Sequence, residues 1–472
     1  MRTPIYDRLK QLAGKGTIRF HMPGHKQKDT GMYFLKDLPK IDVTETFGTD
    51  NLQHPNGVIK ESLELIAKEY GAVYSVFTAN SSSGAMHIAL ATVTKPGDKI
   101  LIQRNCHKCV YNGAILNALH VEYVYPKYEE EARVLGGISP EDVEAWLDKD
   151  PSIKAVVITY PTYFGICCNL GKIAEIVHDR GKYLIVDEAH GPHFAFSDEF
   201  PETAIRLGAD MVVHSAHKTL NAFTQTSMLH VGSKNVDLAR LQKMMNTFQT
   251  TSPSYIFMQS VEAAVAYMVS EEGKEATKKH IESLDDITAK LKTIPGLYVY
   301  TTNNNHDVEI YDKDRSKIIF HMHGKTGTEL RTELYERYNI LLEMADYWYA
   351  LALVGVNNTK EELEKLYEAL AEIAKDAPKE EIPIEDLSMM EMKAAMSIRE
   401  AFYSDKEVVP LDEAANRISG ALVIPYPPGI PLVTPGEVIT QELVDYIKLL
   451  VKKGMDVIGM EMDHTGLEVV KK

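Results

Sequence analysis

The chain has 472 residues, 44% of them hydrophobic, which is more than one small core needs, so two or more domains are expected. Its formal charge of −16, with no basic patch interleaved with aromatics, argues against nucleic acid, and no apolar run is long enough to span a bilayer. An acidic surface tolerates or attracts a small cationic partner.

The first residues, MRTPIYDRLKQLAG, carry no apolar core of the signal-peptide kind, so a cytoplasmic location is expected. Ile5, Leu9 and Leu12 share one face of a short helix over 4–14. IRFHMPGHKQ follows, with a turn expected at Pro23-Gly24. Residues 21–57 lack periodicity, and the acidic DVTETFGTDNL at 42–52 reads as a solvated loop, a rim for a cationic substrate or a subunit contact. A helix runs from Ile59 to Tyr70 and closes at Gly71. VYSVFTANSSSGAMHIALATV then joins a strand to a helix. Ser81, Ser82, Ser83 and Gly84 sit at that junction, which makes either an ordinary N-cap or an anion site. KILIQR (99–104) and HVEYVYP (120–126) read as strands around a helix at 108–118, and Ser139-Pro140 opens another at 139–149.

KAVVITYPTYFG, KYLIVDEAHG and ADMVVHSAHK are three apolar, β-branched runs. A helical pattern from Leu170 to His178, closed by Gly181, separates the first two, and another short helical stretch ending near Gly208 separates the last two. That alternation is a β-α-β-α-β unit in a largely parallel sheet, where chemistry gathers beyond the C-terminal strand ends. Those ends carry Thr162 and Tyr163, then Asp187 and His190, then Ser215, His217 and Lys218. TSMLHVG is a further strand, and long helices cover 255–270 and 272–292. Beyond Pro295, LYVYT, KIIFHM and EMADYWYALALVG have strand character around a helix at 328–338. EELEKLYEALAEIAK is a solvated helix, 376–386 reads as a linker, and a helix at 437–451 follows the Pro-rich IPYPPGIPLVTPGE. The expected division is an N-terminal arm (1–57), a cofactor-binding large domain (58–295), a small α+β domain (296–378) and a C-terminal domain (379–472).

A lysine after a strand is a surface charge, a phosphate ligand or a Schiff-base former. With Asp187 ending the preceding strand, the pattern fits pyridoxal phosphate: an acid aimed at the protonated ring nitrogen, a lysine for the aldehyde, and serines with helix-start amides for the phosphate. DEAH as a helicase box needs a GxxxxGK[ST] loop upstream, which is absent. A zinc hydrolase built on His190, His193, His214 and His217 lacks compact ligand spacing. Cys106, Cys109, Cys167 and Cys168 read as free thiols in a reducing compartment rather than a metal site.

FHMPGHK (20–26), RNCHK (104–108), DEAHG (187–191), SAHK (215–218), TTSPSY (250–255) and YPPGIPLVTPGE (426–437) together resemble the Orn/Lys/Arg decarboxylases, over essentially the whole chain. The resemblance is nearest to the short biosynthetic arginine or lysine decarboxylases of bacteria. It implies the aspartate-aminotransferase fold (fold type I), an α/β large domain with a mostly parallel sheet plus smaller C-terminal α+β modules. It implies pyridoxal phosphate as cofactor, with Lys218 carrying it, Asp187 on the pyridine nitrogen and His107 stacked on the ring. Ser81, Ser82, Ser83 and Ser215 would bind the phosphate, and Ala189 and His190 would pack on the ring's other side or edge. His217 would lie beside Lys218 and assist proton transfer. Thr250, Thr251 or Ser252 would reach the phosphate of a neighbouring subunit, so a homodimer with shared sites is implied and higher assembly is left open. Glu437 is the expected grip on the distal cation of a basic amino acid, with Asp42, Glu45 and Asp50 as alternatives. Arginine is the expected substrate, then lysine or ornithine, in polyamine biosynthesis; an aminotransferase is the competing activity. Ala79 and Asn80 depart from the family's Asn-Gly before the serines, as do Asn221, Ala222 and Phe223 after the lysine. The long N-terminal extension of the large inducible enzymes has no counterpart here, which speaks against ring-like assembly.

Overall fold

A computed structural model describes residues 3–301, 305–378, 382, 390–426, 429–452, 454–461 and 465–471. The N-terminal region holds helix α1 (Pro4–Ala13), with no buried residue, and strand β1 (Ile18–Phe20). Irregular chain then leads to α2 (Val58–Tyr70). That helix begins where the Asp50 carboxylate accepts the N–H groups of Gly57 at 2.8 Å and Ile59 at 3.0 Å. It ends at Gly71, whose φ of +72° suits a residue without Cβ. Ile59, Leu63, Ile66 and Tyr70 recur at helical spacing and face the core.

Alternating elements follow: β2 (Tyr74–Thr78), α3 (Ser81–Val93), β3 (Lys99–Gln103), α4 (Lys108–Leu116), β4 (His120–Val124), α5 (Pro140–Lys149), β5 (Ile153–Thr159), α6 (Leu170–Asp179), β6 (Tyr183–Asp187), β7 (Met211–His214) and β8 (Ser227–Val231). The seven strands form one sheet in the order β2-β8-β7-β6-β5-β3-β4. β8 runs antiparallel to both neighbours and the other pairs are parallel. Both faces are apolar because alternate residues enter different cores. Leu101, Val156, Leu184 and Val212 pack on one side, and Ile100, Val157, Ile185 and Val213 on the other. Helices α3 and α4 approach closely at Gly113, where a Cβ would stand 2.5 Å from Leu90 Cδ1.

One expected element is missing. No α-helix occupies 188–210, although a helical stretch ending near Gly208 was expected. Pro192 and Pro201 interrupt the pattern, and the buried Glu188 carboxylate organises the loop instead. It accepts Ala204 N–H at 2.8 Å and meets His214 Nε2 at 2.6 Å.

Three helices, α7 (Leu238–Phe248), α8 (Tyr255–Val269) and α9 (Glu271–Leu291), lead to a second sheet. Its region runs through β9 (Leu297–Tyr300), β10 (Lys317–Met322), α10 (Gly327–Tyr338), β11 (Ile340–Leu342), β12 (Met344–Ala345), β13 (Ala350–Leu353) and α11 (Lys360–Asp376). The sheet order is β9-β10-β13-β12, all antiparallel. EMADYWYALALVG is therefore not one strand: Asp346 accepts the N–H groups of Trp348 (2.7 Å) and Tyr349 (2.6 Å) and turns the chain between β12 and β13. β11 pairs in parallel with β1, so the N-terminal segment is sewn to the second sheet. The C-terminal part packs helix Gln441–Lys452 on its own core, beside the paired strands Lys406–Pro410 and Gly466–Val470. Most of the expected linker at 376–386, and Pro427 and Pro428 of the Pro-rich motif, lie outside the described residues. Among the described residues no helix is long and apolar enough to cross a membrane.

Candidate active site

The C-terminal ends of β6 and β7 bring the central groups together. Asp187 is the last residue of β6, buried, and accepts Ala189 N–H at 3.2 Å. Burial raises its pKa, and the charge of Lys218 opposes that rise. After β7 the chain makes one helical turn, Ala216–Thr219, closed by Lys218 N–H on Ser215 C=O at 3.0 Å. Lys218 Nζ lies 3.0 Å from His190 Nε2. Burial lowers the lysine's pKa, while Asp187, Glu343 and Cys109 pull it back up. An ammonium held below its ordinary value, beside a carboxylate, is poised to become a free amine.

Imidazoles surround this pair. His107 caps α4, its Nδ1 accepting Cys109 N–H at 3.3 Å, and burial with the charges of Lys218 and Lys108 lowers its pKa to about 3. It is a neutral, flat ring near the lysine. Burial also keeps His190 neutral, and its Nδ1 has no partner in its enclosed position. His217 turns its Nδ1 to Thr226 C=O at 2.9 Å, and burial lowers its pKa too.

Ser215 Oγ donates to Ser82 Oγ at 2.7 Å, so the loop after β7 meets the start of α3. Ser81 has φ +61°, which opens the helix sharply. The Ala79-Asn80 departure has a local support. Gln249 Oε1 accepts Ala79 N–H at 2.6 Å, and Asn80 Nδ2 donates to Phe248 C=O at 2.7 Å. Ser81, Ser82 and Ser83 thus stand at a helix start with hydroxyls and unsatisfied amides, a natural phosphate seat. Thr250 lines a cleft with Ala79, Asn80 and Gln225. Thr250, Thr251 and Ser252 are exposed on this chain, and Ser252 N–H donates to Glu45 at 2.9 Å.

Glu437 is not in this cage. Its carboxylate is 1% exposed and pairs with Arg104 Nη2 at 3.2 Å. It also accepts Thr434 N–H at 2.7 Å. The expected grip on a substrate cation therefore has a resident cation instead: Glu437 Oε2 faces the Arg104 guanidinium, and its Oε1 is enclosed without a partner among the described residues. Asp50 is likewise committed, to the start of α2. The four cysteines are buried and free. Cys106 and Cys109 lie in one core and Cys167 and Cys168 in the other, and among the described residues no group of three His, Cys, Asp or Glu side chains is placed to hold a metal.

Two groups at the site escaped the sequence reading. Gly24 of the HMPGHK segment donates its N–H to His217 C=O at 2.8 Å, and a Cβ there would meet Leu220 C=O at 2.4 Å, so only glycine fits. Glu343 accepts Tyr163 O–H at 2.7 Å and Met22 N–H at 2.8 Å. Its only sequence signal is a lone acid inside the apolar run ILLEMA.

A buried carboxylate, an amine of lowered pKa, a flat neutral imidazole and paired hydroxyls at a helix start fit a phosphorylated pyridine aldehyde. Comparison with known proteins agrees. Residues 3–359 match the family described as Orn/Lys/Arg decarboxylase, major domain, and residues 379–472 match the C-terminal domain of the same family. The chain is 34% identical to an arginine decarboxylase of Halalkalibacterium halodurans, over 100% of this chain and 98% of that protein. It is 32% identical to an arginine decarboxylase of Bacillus subtilis, over 97% of this chain and 96% of that protein. The crystal structure of the Francisella novicida lysine decarboxylase LdcF superposes with a TM-score of 0.79 at 22% identity, covering 99% of this chain and 81% of that one. The fold is therefore the α/β fold of the aspartate-aminotransferase superfamily, fold type I.

Proposed function

The chain belongs to the Orn/Lys/Arg decarboxylase family, and from that membership we propose that it decarboxylates L-arginine to agmatine and carbon dioxide. The enzyme is a pyridoxal-phosphate-dependent amino-acid decarboxylase, a carboxy-lyase. The observation that carries the reading is Lys218 Nζ at 3.0 Å from His190 Nε2, with its pKa drawn down by burial and up by Asp187.

When bound, pyridoxal phosphate supplies an electron-poor ring that accepts the electron pair left as the Cα–carboxylate bond breaks. The remaining work belongs to the chain. Asp187 would supply the carboxylate that pairs with the ring nitrogen. Lys218 would hold the cofactor by its aldehyde. His107 would stack on the ring and His190, with Ala189, would pack on its other side or edge, both imidazoles held neutral by burial and adding no competing charge. Ser82, Ser83 and Ser215, with Ser81, would hold the phosphate. The substrate's Cα–carboxylate bond must stand across the ring plane for the electrons to pass, so the walls must fix its orientation. Carbon dioxide departs and Cα takes one proton, supplied by Lys218 or by His217. The balance is one proton consumed and one carbon dioxide released.

We also read the site as completed by a second copy of the chain. Thr250, Thr251 and Ser252 are exposed here and suit the phosphate of a partner subunit, and Asp42 and Glu45 remain as carboxylates for a partner's substrate. The 1–57, 58–295, 296–378 and 379–472 division, a place in polyamine biosynthesis and a cytoplasmic location belong to the same reading. A panel of kcat/KM values for arginine, lysine and ornithine tests it, with evolved carbon dioxide measured against keto acid. Arginine is expected to lead and carbon dioxide to match product. Lysine or ornithine equal to arginine overturns the substrate; keto acid without carbon dioxide overturns the reaction.

A further inference from the structure

Apart from Asp187, one more carboxylate acts on Lys218 from another part of the fold. Glu343 sits between β11 and β12, beside the second sheet. Each of its oxygens is engaged. Oε1 accepts the Tyr163 hydroxyl at 2.7 Å, and Oε2 accepts the backbone N–H of Met22 at 2.8 Å. Tyr163 follows β5, and its ring stands edge-on to the His190 imidazole with centroids 4.9 Å apart. His190 Nε2 in turn is 3.0 Å from Lys218 Nζ. One half-buried carboxylate thus joins three segments far apart in sequence and ends, through two rings, at the cofactor lysine.

We infer that Glu343 is a positioning residue for the reaction: it clasps Tyr163 and the Met22 segment together, which fixes His190 against Lys218, and it supplies the second negative charge that faces the lysine. This rests on the reading of Lys218 as the cofactor lysine. The geometry has a reason to exist. His190 donates or accepts toward Lys218 through Nε2 alone, since its Nδ1 is enclosed without a partner. Nothing on the imidazole's far nitrogen holds the ring, so its orientation depends on the packing of Tyr163, and the Tyr163 ring is held at its hydroxyl by Glu343. The Met22 bond ties the same carboxylate to the turn whose Gly24 N–H reaches His217 C=O at 2.8 Å. The His190 ring and the backbone of His217 are therefore both linked to Glu343. The charged and titratable groups facing Lys218 are Asp187, Glu343 and Cys109, which favour its charged form, and the side chains of His107, His190, His217 and Lys317, which it influences in turn. Glu343 itself also faces His21 and Lys26.

The test separates charge from position. Full-length protein is stripped of pyridoxal phosphate and reloaded, and the loading rate is followed against pH by visible absorbance. Loading joins the free amine of Lys218 to the aldehyde and releases water, so the rate climbs with pH and levels above the amine's pKa. Glu343→Gln removes a charge that favours the ammonium. Its loading curve is expected to move about half a pH unit lower, and kcat to fall about tenfold. Glu343→Asp keeps the charge but is one methylene short, so its loading curve stays in place while kcat falls. Tyr163→Phe keeps the carboxylate and the ring but loses the hydroxyl; its loading curve also stays, and kcat falls about threefold or more at unchanged KM. Glu372→Gln, the same charge change on the exposed face of α11, moves neither. A merely structural Glu343 would slow loading at every pH alike. A Glu343→Gln curve that does not move, or a Tyr163→Phe enzyme at the parental rate, overturns the inference. If Glu343→Gln does not fold, the Asp and Phe variants still decide. Protein that reloads with the expected shift but releases no carbon dioxide from any basic amino acid refutes the substrate reading and supports the role of Glu343.

Discussion

Two acid–base groups lie buried beyond strand ends of the same sheet, and they are built in opposite ways. Arg104, just after β3, is ion-paired and committed at both terminal nitrogens. It donates to Pro431 C=O at 2.7 Å, to Leu432 C=O at 3.0 Å and to Glu437 at 3.2 Å, and its guanidinium lies 5.2 Å from the Tyr123 ring centre. Lys218, just after β7, meets His190 at 3.0 Å, and its acid, Asp187, takes only a backbone N–H in the same cage. The first arrangement commits both terminal nitrogens, Nη1 and Nη2, mostly to holding the C-terminal part against the sheet, and leaves Arg104 Nε and Glu437 Oε1 enclosed without a partner among the described residues. The second leaves an amine, a carboxylate and neutral rings with capacity for another molecule. Burial alone does not distinguish a structural ion from a reactive one; what distinguishes them is whether the partners are already in place.

The largest effects should come from the unsaturated pair. Lys218→Ala removes the amine that carries the cofactor and is expected to lower kcat about a thousandfold or more, with the visible absorbance of bound pyridoxal phosphate lost. Asp187→Ala should lower kcat about a hundredfold, because the ring nitrogen loses its counter-charge. Neither should weaken the fold. Burial raises the pKa of Asp187, so its carboxylate is tolerated at a cost rather than stabilising. A urea midpoint that drops sharply in Asp187→Ala would show that the two pairs are not opposites after all.

The Arg104–Glu437 ion pair predicts the reverse. Glu437→Gln leaves Arg104 buried without its counter-charge, and the loss of stability should be about 3–5 kcal/mol by urea unfolding. The ratio of kcat/KM for arginine over lysine should change less than about threefold, under roughly 1 kcal/mol, since Glu437 is turned to Arg104. A double variant, Arg104→Met with Glu437→Gln, should recover part of the loss, because it empties the site of charge. A changed substrate ratio in Glu437→Gln would return that residue to the pocket.

Most of the cage was legible in the sequence, because local rules place it. Asp187, Ser215 and Lys218 end or follow apolar strand runs, and Ser81–Ser83 begin a helix, so the topology of a parallel sheet brings them to one rim. What was not legible depends on pairs distant in the chain. Glu437 stands 333 positions from Arg104, and no pattern near Glu437 announces a guanidinium. Glu343 stands 180 positions from Tyr163, and the parallel pairing of β11 with β1 brings the distant N-terminal turn to the same carboxylate. The loop after β6 misled for a related reason: Glu188 replaces helical hydrogen bonding with a contact to Ala204 and to His214 in another strand.

A third buried ion sharpens the comparison, because it has neither a carboxylate in contact nor a ligand to await. Lys26 is 5% exposed, and its Nζ donates to His21 C=O at 2.7 Å and Leu353 C=O at 2.9 Å. Burial lowers its pKa from 10.5 to about 7, against the pull of Glu343 and Glu362. The sign follows from proton counts. Between about pH 7 and 10.5 the unfolded chain holds the Lys26 proton and the folded chain does not. Stability therefore rises with pH through that window, by on the order of 1 kcal/mol per unit from this group, and the burden of the buried charge is fully felt below it. Lys26→Met should flatten the slope of urea stability between pH 7 and 10 and should stabilise the protein most at pH 6, unless the two carbonyls need the ammonium more than the core needs relief from its charge. The variant deciding between those outcomes is measured at pH 6 and pH 9. A gain at pH 6 that shrinks by pH 9 places Lys26 below both strand-end groups, as an ion that the fold carries rather than uses. An equal loss at both pH values makes it a structural anchor like Arg104, with backbone oxygens in the place of Glu437.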